Sequence, residues 1–471
     1  GLIDAGQKQD AGLNDVHDYL IKKSGGKSQK IDDKRSAICK TVLDKIRSLS
    51  DNEIRQKRIF TLTAPTGTGK TLTSISAAIL LGKRIEKIEG YKPRIITALP
   101  FINILEQTKD DYKGIFHDVL IHYGSCEMDM GNKNLPLNNR LLLTEAWESN
   151  VIITTFVQLF ESILSGENKK VLKINKLCGA IVILDEVQAL PAKYYPLLGA
   201  VIQRFSQYYG TRFILMTATQ PEIVTYANKL LPDHSMKATE LLENSAEYYH
   251  ELKRTMLIPV LGKKTGSSAL LDLIKDTKKP EQAALVVVNT IAHSIEVYNL
   301  LKENFPEENI IYLSTNLTGK DRRNVISNAK HMLEYKQHFI MVSTQTIEAG
   351  VDLDFDIAYR DLAPLESIIQ VAGRVNRAGK KGNYCPVYIF DSGNANKIYK
   401  MTVLKKSQSW LSKSYKEPEY YGLMKTYYKD LAESDLNYDA DVYNGILELD
   451  YDKINKFKMI VETERVPVII I

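Results

Sequence analysis

Cysteine is scarce and scattered. Cys39, Cys126, Cys178 and Cys385 are the only four in 471 residues, and none belongs to a Cys-x-x-Cys pair. That excludes a zinc ribbon and a disulfide framework, and reads as reduced thiols in a cytoplasmic setting. Histidine is equally sparse, with eight in all and only His17 before His117. A two-metal phosphodiesterase centre needs several histidines and carboxylates converging within a few Å, so residues 1–34 are not expected to hold one. No stretch approaches the ~18–20 apolar residues of a membrane-spanning helix, so no membrane partner is expected. Charge of one sign is also lacking. A net +5 permits a local basic track without arguing for one. No short internal repeat occurs. The chain opens on Gly1 with no visible signal peptide, and reads as an internal or processed segment.

The residues present are those of an ordinary large globular chain, 44% hydrophobic and 25% charged. This length accommodates two to four domains. The most informative stretch is Ala64-Pro65-Thr66-Gly67-Thr68-Gly69-Lys70-Thr71, directly behind the apolar run Ile59–Thr63. A strand feeding such a loop cradles phosphate: glycines let backbone N–H groups close on the oxygens. Lys70 reaches the β- and γ-phosphates, and the Thr71 hydroxyl is placed for Mg²⁺. Ala64 stands where a glycine is usual. Behind a second apolar run comes Asp185-Glu186-Val187-Gln188. Asp185, at the carboxyl end of a buried strand, suits Mg²⁺. Glu186 suits deprotonation of the attacking water, and Gln188 joins the nucleotide-facing set. Further on, Gln370, Arg374 and Arg377 share the pattern Gln-x-x-Gly-Arg-x-x-Arg. A helix would put the two arginines on one face, as arginine fingers across a cleft. In Ser343–Asp352, Gly350 and Asp352 are candidates for the nucleotide, Asp352 at the ribose. Arg35 is the candidate on the adenine side. Phosphate loop, Asp-Glu and paired arginines in this order describe an ATP-driven nucleic-acid motor, and ATP with Mg²⁺ is the expected cofactor pair.

Apolar β-branched runs alternate with helical segments along residues 35–235 and again along 236–395. That rhythm predicts two tandem α/β domains with parallel sheets. Residues 21–34 are polar and glycine-rich and read as a linker. The segment 396–471 is tyrosine- and lysine-rich with a helical pattern, the start of a mainly helical accessory domain. Its Trp410, Tyr415, Tyr420, Tyr421, Tyr427 and Tyr428 interleave with lysines, which suits either base stacking or a packing face. Motors of this class grip the phosphate backbone. The loops after the strands supply Pro100, Thr154, Thr155, Asn289, Thr290, Ser343 and Thr344 as candidates. The segment Thr318–Arg323 is either a further cationic contact or a solvated helix start.

Eight segments then combine into one pattern: the phosphate loop, Leu99–Thr108, Thr154–Ser162, Asp185–Pro191, Met216–Pro221, Val286–Thr290, Ser343–Asp356 and Gln370–Gly379. The chain resembles the superfamily 2 helicase of type I CRISPR interference, the effector helicase-nuclease, over residues 35–395. The resemblance implies two RecA-like domains that move 3′ to 5′ on single-stranded DNA. It implies recruitment by the crRNA-guided Cascade complex, and action as a monomer beside an HD nuclease domain or subunit. Residues 1–34 resemble the end of such a domain, with Asp4 as a descendant of a metal ligand. The dipeptide His17-Asp18 has no partner cluster, so DNA cleavage is not expected from this chain. An RNA-remodelling ATPase unconnected with CRISPR, and a non-catalytic scaffold, are the competing readings.

Overall fold

Ten of the strands lie within a residue or so of the apolar runs. In the computed structural model, residues 11–24, 30–123, 142–218, 222–231, 236–262, 266–348, 350–433 and 440–459 are described. The first sheet contains β1 (Ile59–Thr63), β2 (Ile95–Leu99), β3 (Leu120–His122), β4 (Val151–Thr155), β5 (Ile181–Leu184), β6 (Arg212–Thr217) and β7 (Thr239–Glu240). Their order is β3-β4-β2-β5-β6-β1-β7, parallel throughout. The second sheet contains β8 (Thr255–Pro259), β9 (Ala284–Val287), β10 (Ile310–Leu313), β11 (Ile340–Ser343), β12 (Ile357–Asp361), β13 (Cys385–Phe390) and β14 (Tyr415–Lys416). Its order is β10-β11-β9-β12-β13-β8-β14, and only β14 runs antiparallel. These are two tandem RecA-like α/β domains.

The central strands are buried along their whole length because both faces are covered, as in β2, β4, β5, β9 and β11. Along β5, Val182 and Leu184 point into one core while Ile181 and Ile183 point into the other. Along β9, Leu285 and Val287 face one side, Ala284 and Val286 the opposite. Helices cover each face, so every loop leaving a parallel strand emerges on one edge of its sheet. The phosphate loop follows β1, Asp185 follows β5, and Thr290 follows β9 on those edges.

Three expectations change. Residues 21–24 and 30–34 are helical, in the helices Leu13–Ser24 and Lys30–Ser48. The first helix anchors by buried Val16 and by Tyr19, whose hydroxyl donates to Asp111 at 2.7 Å. The first sheet runs past residue 235, because β7 pairs with β1 and Leu241 and Leu242 enter its core. The mainly helical tail divides between two cores. Leu404, Tyr415, Tyr420, Tyr427 and Tyr428 are buried in the second domain. Val442, Phe457 and Met459 are buried in the first. The tail aromatics therefore pack, and Trp410 donates its indole N–H to Asp430 at 2.8 Å. Among the described residues, no helix is long and apolar enough to cross a membrane.

The tail's hold on the first domain is testable. Phe457 packs its ring 5.0 Å from that of Tyr194, whose hydroxyl donates to the Lys458 carbonyl at 2.7 Å. Phe457→Ala is expected to lower unfolding stability by about 3 kcal/mol, the scale of a buried aromatic truncation. Denaturant unfolding reads this out, and a change under ~0.5 kcal/mol would show that the tail is not part of the first core.

Candidate functional site

The phosphate loop is tied down by its carbonyls. The Ala64 carbonyl accepts from Lys70 Nζ at 3.2 Å and that of Pro65 from the Thr68 hydroxyl at 2.7 Å. The Thr66 carbonyl accepts from Arg254 Nη1, and that of Gly67 from Arg35 Nε, both at 3.1 Å. Four successive carbonyls are thus satisfied by side chains, and the Ala64 N–H donates to the Thr217 carbonyl at 3.2 Å; the glycine-rich turn that follows is the part whose N–H groups suit an anion. Gly67 and Gly69 sit at φ of 82° and 79°, where a side chain would be strained. Gly69 caps the helix Lys70–Glu89, which places Lys70 and Thr71 in its first turn. The N-terminal end of that helix adds favourable potential for phosphate.

Lys70 is buried, and its ammonium lies 3.8 Å from Glu186 Oε1. Glu186 occupies the left-handed region at φ 52°, ψ 50°, rare for a residue with a side chain. Beside it, Asp185 is buried. Burial first, then the neighbouring Glu186, raises its pKa to about 7, against the pull of Lys70. A carboxylate destabilised by burial and a threonine hydroxyl at a helix start are oxygen donors of the kind that suits a hard divalent cation. Thr71 and Asp185 are the residues that would hold Mg²⁺. Gln188 differs from expectation: its amide donates to Glu186 and its Oε1 accepts from the Thr217 hydroxyl at 2.6 Å. It links the Asp185–Glu186 segment to the end of β6 rather than presenting itself to a nucleotide. Thr219, the next hydroxyl of that segment, lies outside the described residues.

The facing wall comes from the second domain. Arg374 and Arg377 lie beyond the helix Leu365–Ala372, which ends at Gly373. Turn geometry rather than a helix face sets their direction. Val375 bridges to Phe355, and Asn376 takes φ 47°. Gly373 packs so closely on the phosphate loop that a Cβ there would stand 2.5 Å from Thr66 Oγ1. Arg374 donates to the carbonyls of Ile347 and Glu348 at 3.0 and 2.6 Å. Burial and then Arg377 depress its pKa, while Glu186 across the cleft acts in the opposite direction. Arg377 forms an ion pair with Asp352, Nε lying 2.9 Å from Oδ1. Burial lowers its pKa first; Asp352 offsets this, and Arg254 and Arg35 add to it. Arginines from both domains thus converge on the loop. Gln370 is half-buried on the last turn of its helix. Gly350, at φ 73°, abuts the backbone of Ile104, so this candidate marks a close approach between domains.

Most nucleic-acid candidates are spent internally. The Thr154 hydroxyl donates to the His122 carbonyl at 2.8 Å. The Asn289 amide donates to Asp361 and to the Leu362 carbonyl and accepts from Arg360 at 2.8–2.9 Å. Ser343 donates to the Thr344 carbonyl at 2.9 Å, and Thr344 pairs with Thr346 at 3.1 Å. These side chains are buried, as is Thr155. Thr155 and Thr290 share another role. Each follows a strand and caps the next helix, accepting from Gln158 N at 3.3 Å and His293 N at 3.2 Å. The two domains therefore present matched helix N-termini, a backbone-amide surface for phosphates. Pro100 and Thr290 are part-exposed at these loops, with Phe101, Ile102 and Ile291 exposed beside them. Thr318 caps the helix Gly319–Glu334 in the same way, with Lys320 and Arg323 exposed. His17 and Asp18 are exposed on their helix. Among the described residues, no three or more His, Cys, Asp or Glu side chains gather as a metal cluster. Asp4 lies outside the described residues.

Sequence reasoning missed Arg254 and Glu417, which lack a motif and meet across 163 positions. It also missed the buried Glu348–Arg360 pair, 2.8 Å apart, whose carboxylate accepts from Ser367 at 2.8 Å.

Comparisons with known proteins agree with the motifs. The family described as DEAD/DEAH box helicase matches residues 44–226. That described as CRISPR-associated nuclease/helicase Cas3, C-terminal, matches residues 280–380. The Cas3 nuclease/helicase of Haloferax volcanii is 26% identical over 76% of this chain and 49% of its own length. That of Methanothermobacter thermautotrophicus is 24% identical over 84% and 49%. The chain therefore spans about half the length of the curated relatives it matches. Among solved structures, T. fusca Cas3 is similar in fold, with a TM-score of 0.67 at 16% identity, over 90% of this chain and 58% of that one. The matches thus fall on both α/β domains, the one with the CRISPR-associated family lying on the second.

Two substitutions test the cleft. Lys70→Ala is expected to lower ATP hydrolysis by about a hundredfold or more, since its charge meets the β- and γ-phosphates. Glu186→Gln is expected to retain ATP binding and lose turnover by about a hundredfold or more. Steady-state hydrolysis and nucleotide titration decide both, and near-wild-type turnover in either refutes the assignment.

Proposed function

We propose that this chain, similar along its motor region to the CRISPR-associated Cas3 helicases, is an ATP-driven translocase moving 3′ to 5′ on single-stranded DNA. In this reading it serves type I CRISPR interference after recruitment by the crRNA-guided Cascade complex. DNA cutting would come from an HD nuclease domain or subunit. The observation that carries the reading is the seating of the Gly373–Arg377 turn on the loop that holds Lys70, with Gly373 against Thr66 and Arg377 beside Gly67.

The chemistry follows from these positions. Lys70 and the loop amides hold the phosphates. Glu186 takes the proton of the attacking water, and its unusual backbone angle aims the carboxylate. Arg374 and Arg377 face the charge that grows on the γ-phosphoryl group. Bound Mg²⁺ supplies further positive charge at the phosphate oxygens. Because the arginines sit on one domain and the loop on the other, hydrolysis and release loosen the contact between them. The matched helix N-termini after β4 and β9 lie on different domains, so the same movement changes their spacing along a bound strand. Backbone-amide contacts give grip without base preference.

Measuring ATPase with single-stranded DNA and with RNA tests the substrate class. DNA is expected to stimulate more strongly, and a larger response to RNA would favour an RNA-remodelling ATPase. Arg377→Ala is expected to lower kcat by about a hundredfold with little change in ATP affinity, since its contact strengthens only in the transition state. A loss confined to affinity would make Arg377 a binding residue.

A further inference from the structure

The tail delivers to the nucleotide cleft a group that no motif marks. Glu417 opens the short turn Glu417–Glu419 directly after β14, and its side chain is buried. It faces Arg254, which immediately precedes β8 and is buried as well. Arg254 Nε donates to Glu417 Oε1 and Oε2 at 3.0 and 3.2 Å, and Nη2 donates to Oε1 at 2.6 Å. The Arg254 backbone N–H donates to Oε2 at 2.7 Å. The remaining nitrogen reaches out of the second domain. Nη1 donates to the Thr66 carbonyl of the phosphate loop at 3.1 Å and to the Arg377 carbonyl at 3.3 Å. Asn376 completes the array by donating to the Arg254 carbonyl at 3.2 Å. One guanidinium thus joins the phosphate loop, the arginine-finger turn and the tail.

Stability alone does not call for this pair. Desolvating two charges offsets most of their attraction, and an apolar pair of similar volume fills such space as well or better. An apolar pair cannot donate to two carbonyls on opposite walls of a cleft. The planar fork of arginine can, and the bidentate carboxylate fixes the plane in which it does so.

We infer that Arg254 is a positioning residue for ATP hydrolysis, a latch aimed by Glu417 that sets the spacing between the Lys70 loop and the Arg374–Arg377 turn. The inference rests on the ATPase reading of the cleft. Arg254 acts through Thr66 and Arg377. The tail thereby gains a part in hydrolysis although it carries no helicase motif.

The test compares the full chain with R254L/E417L, which removes both charges together, and with E417Q, which keeps the shape and one acceptor oxygen. The double variant is expected to keep its Tm within a few degrees of wild type, because no buried charge is stranded. Its kcat for ATP should fall about ten- to hundredfold while KM changes little, the scale of a misplaced catalytic group. E417Q should lower kcat by about tenfold, the worth of a weakened charge-assisted hydrogen bond. R254K, which keeps the charge without the fork, should stay low. Near-wild-type kcat in both R254L/E417L and R254K overturns the latch while leaving the ATPase reading intact. A kcat that falls only in step with Tm makes the pair structural and also overturns it. A wild-type chain that hydrolyses no ATP overturns the reading on which the latch depends.

Discussion

Four carbonyls of the phosphate loop, from Ala64 to Gly67, have to be satisfied before its amides can face an anion, and the structure satisfies them from three parts of the chain. Lys70 and Thr68 come from the loop and the helix behind it. Arg35 comes from the helix Lys30–Ser48. Arg254 comes from the second domain. The loop's shape is therefore not a property of its glycines alone. Gly67 and Gly69 permit the conformation, and two arginines from outside hold it. This links the state of the cleft to the state of the loop without any change in fold.

The same economy recurs in the second domain. Glu348 pairs with Arg360 and accepts from Ser367, while its own carbonyl and that of Ile347 hold Arg374. Arg360 in turn donates to Asn289, which precedes the Thr290 helix cap. Within this buried network Arg360 Nε is left without a hydrogen-bond partner. It joins the carbonyls that hold Arg374, the residue proposed for the nucleotide, to the helix end proposed for DNA.

The sequence made the strands legible where burial on both faces demanded continuous apolar runs, as in Ile181–Leu184 and Ala284–Val287. It hid β7 and β14, which are two residues each. It hid β8, whose Thr255–Pro259 stretch is too mixed to mark a strand. The motifs located the cleft because phosphate chemistry restricts residue type and spacing. They gave the wrong support for Arg374 and Arg377, since three-residue spacing suits a turn as well as a helix. Several candidate DNA contacts instead have partners within their own domains. Thr154, Asn289, Ser343 and Thr344 are polar residues at strand ends, and nothing local separates a hydroxyl that meets phosphate from one that meets a neighbouring carbonyl. Arg254 and Glu417 were invisible for a related reason: each is an ordinary charged residue until the fold brings them together.

Among the described residues, the chain passes between the two domains at two places. It first crosses near residues 251–254, ahead of β8. It returns between Glu433, after the helix that packs on the second domain, and Ala440, where the helix leading to Val442 packs on the first. Seven links of chain span at most about 25 Å. Two covalent joins tie the domains more closely than one: whatever rearrangement the cleft undergoes, the ends of the second join can part by no more than its contour length.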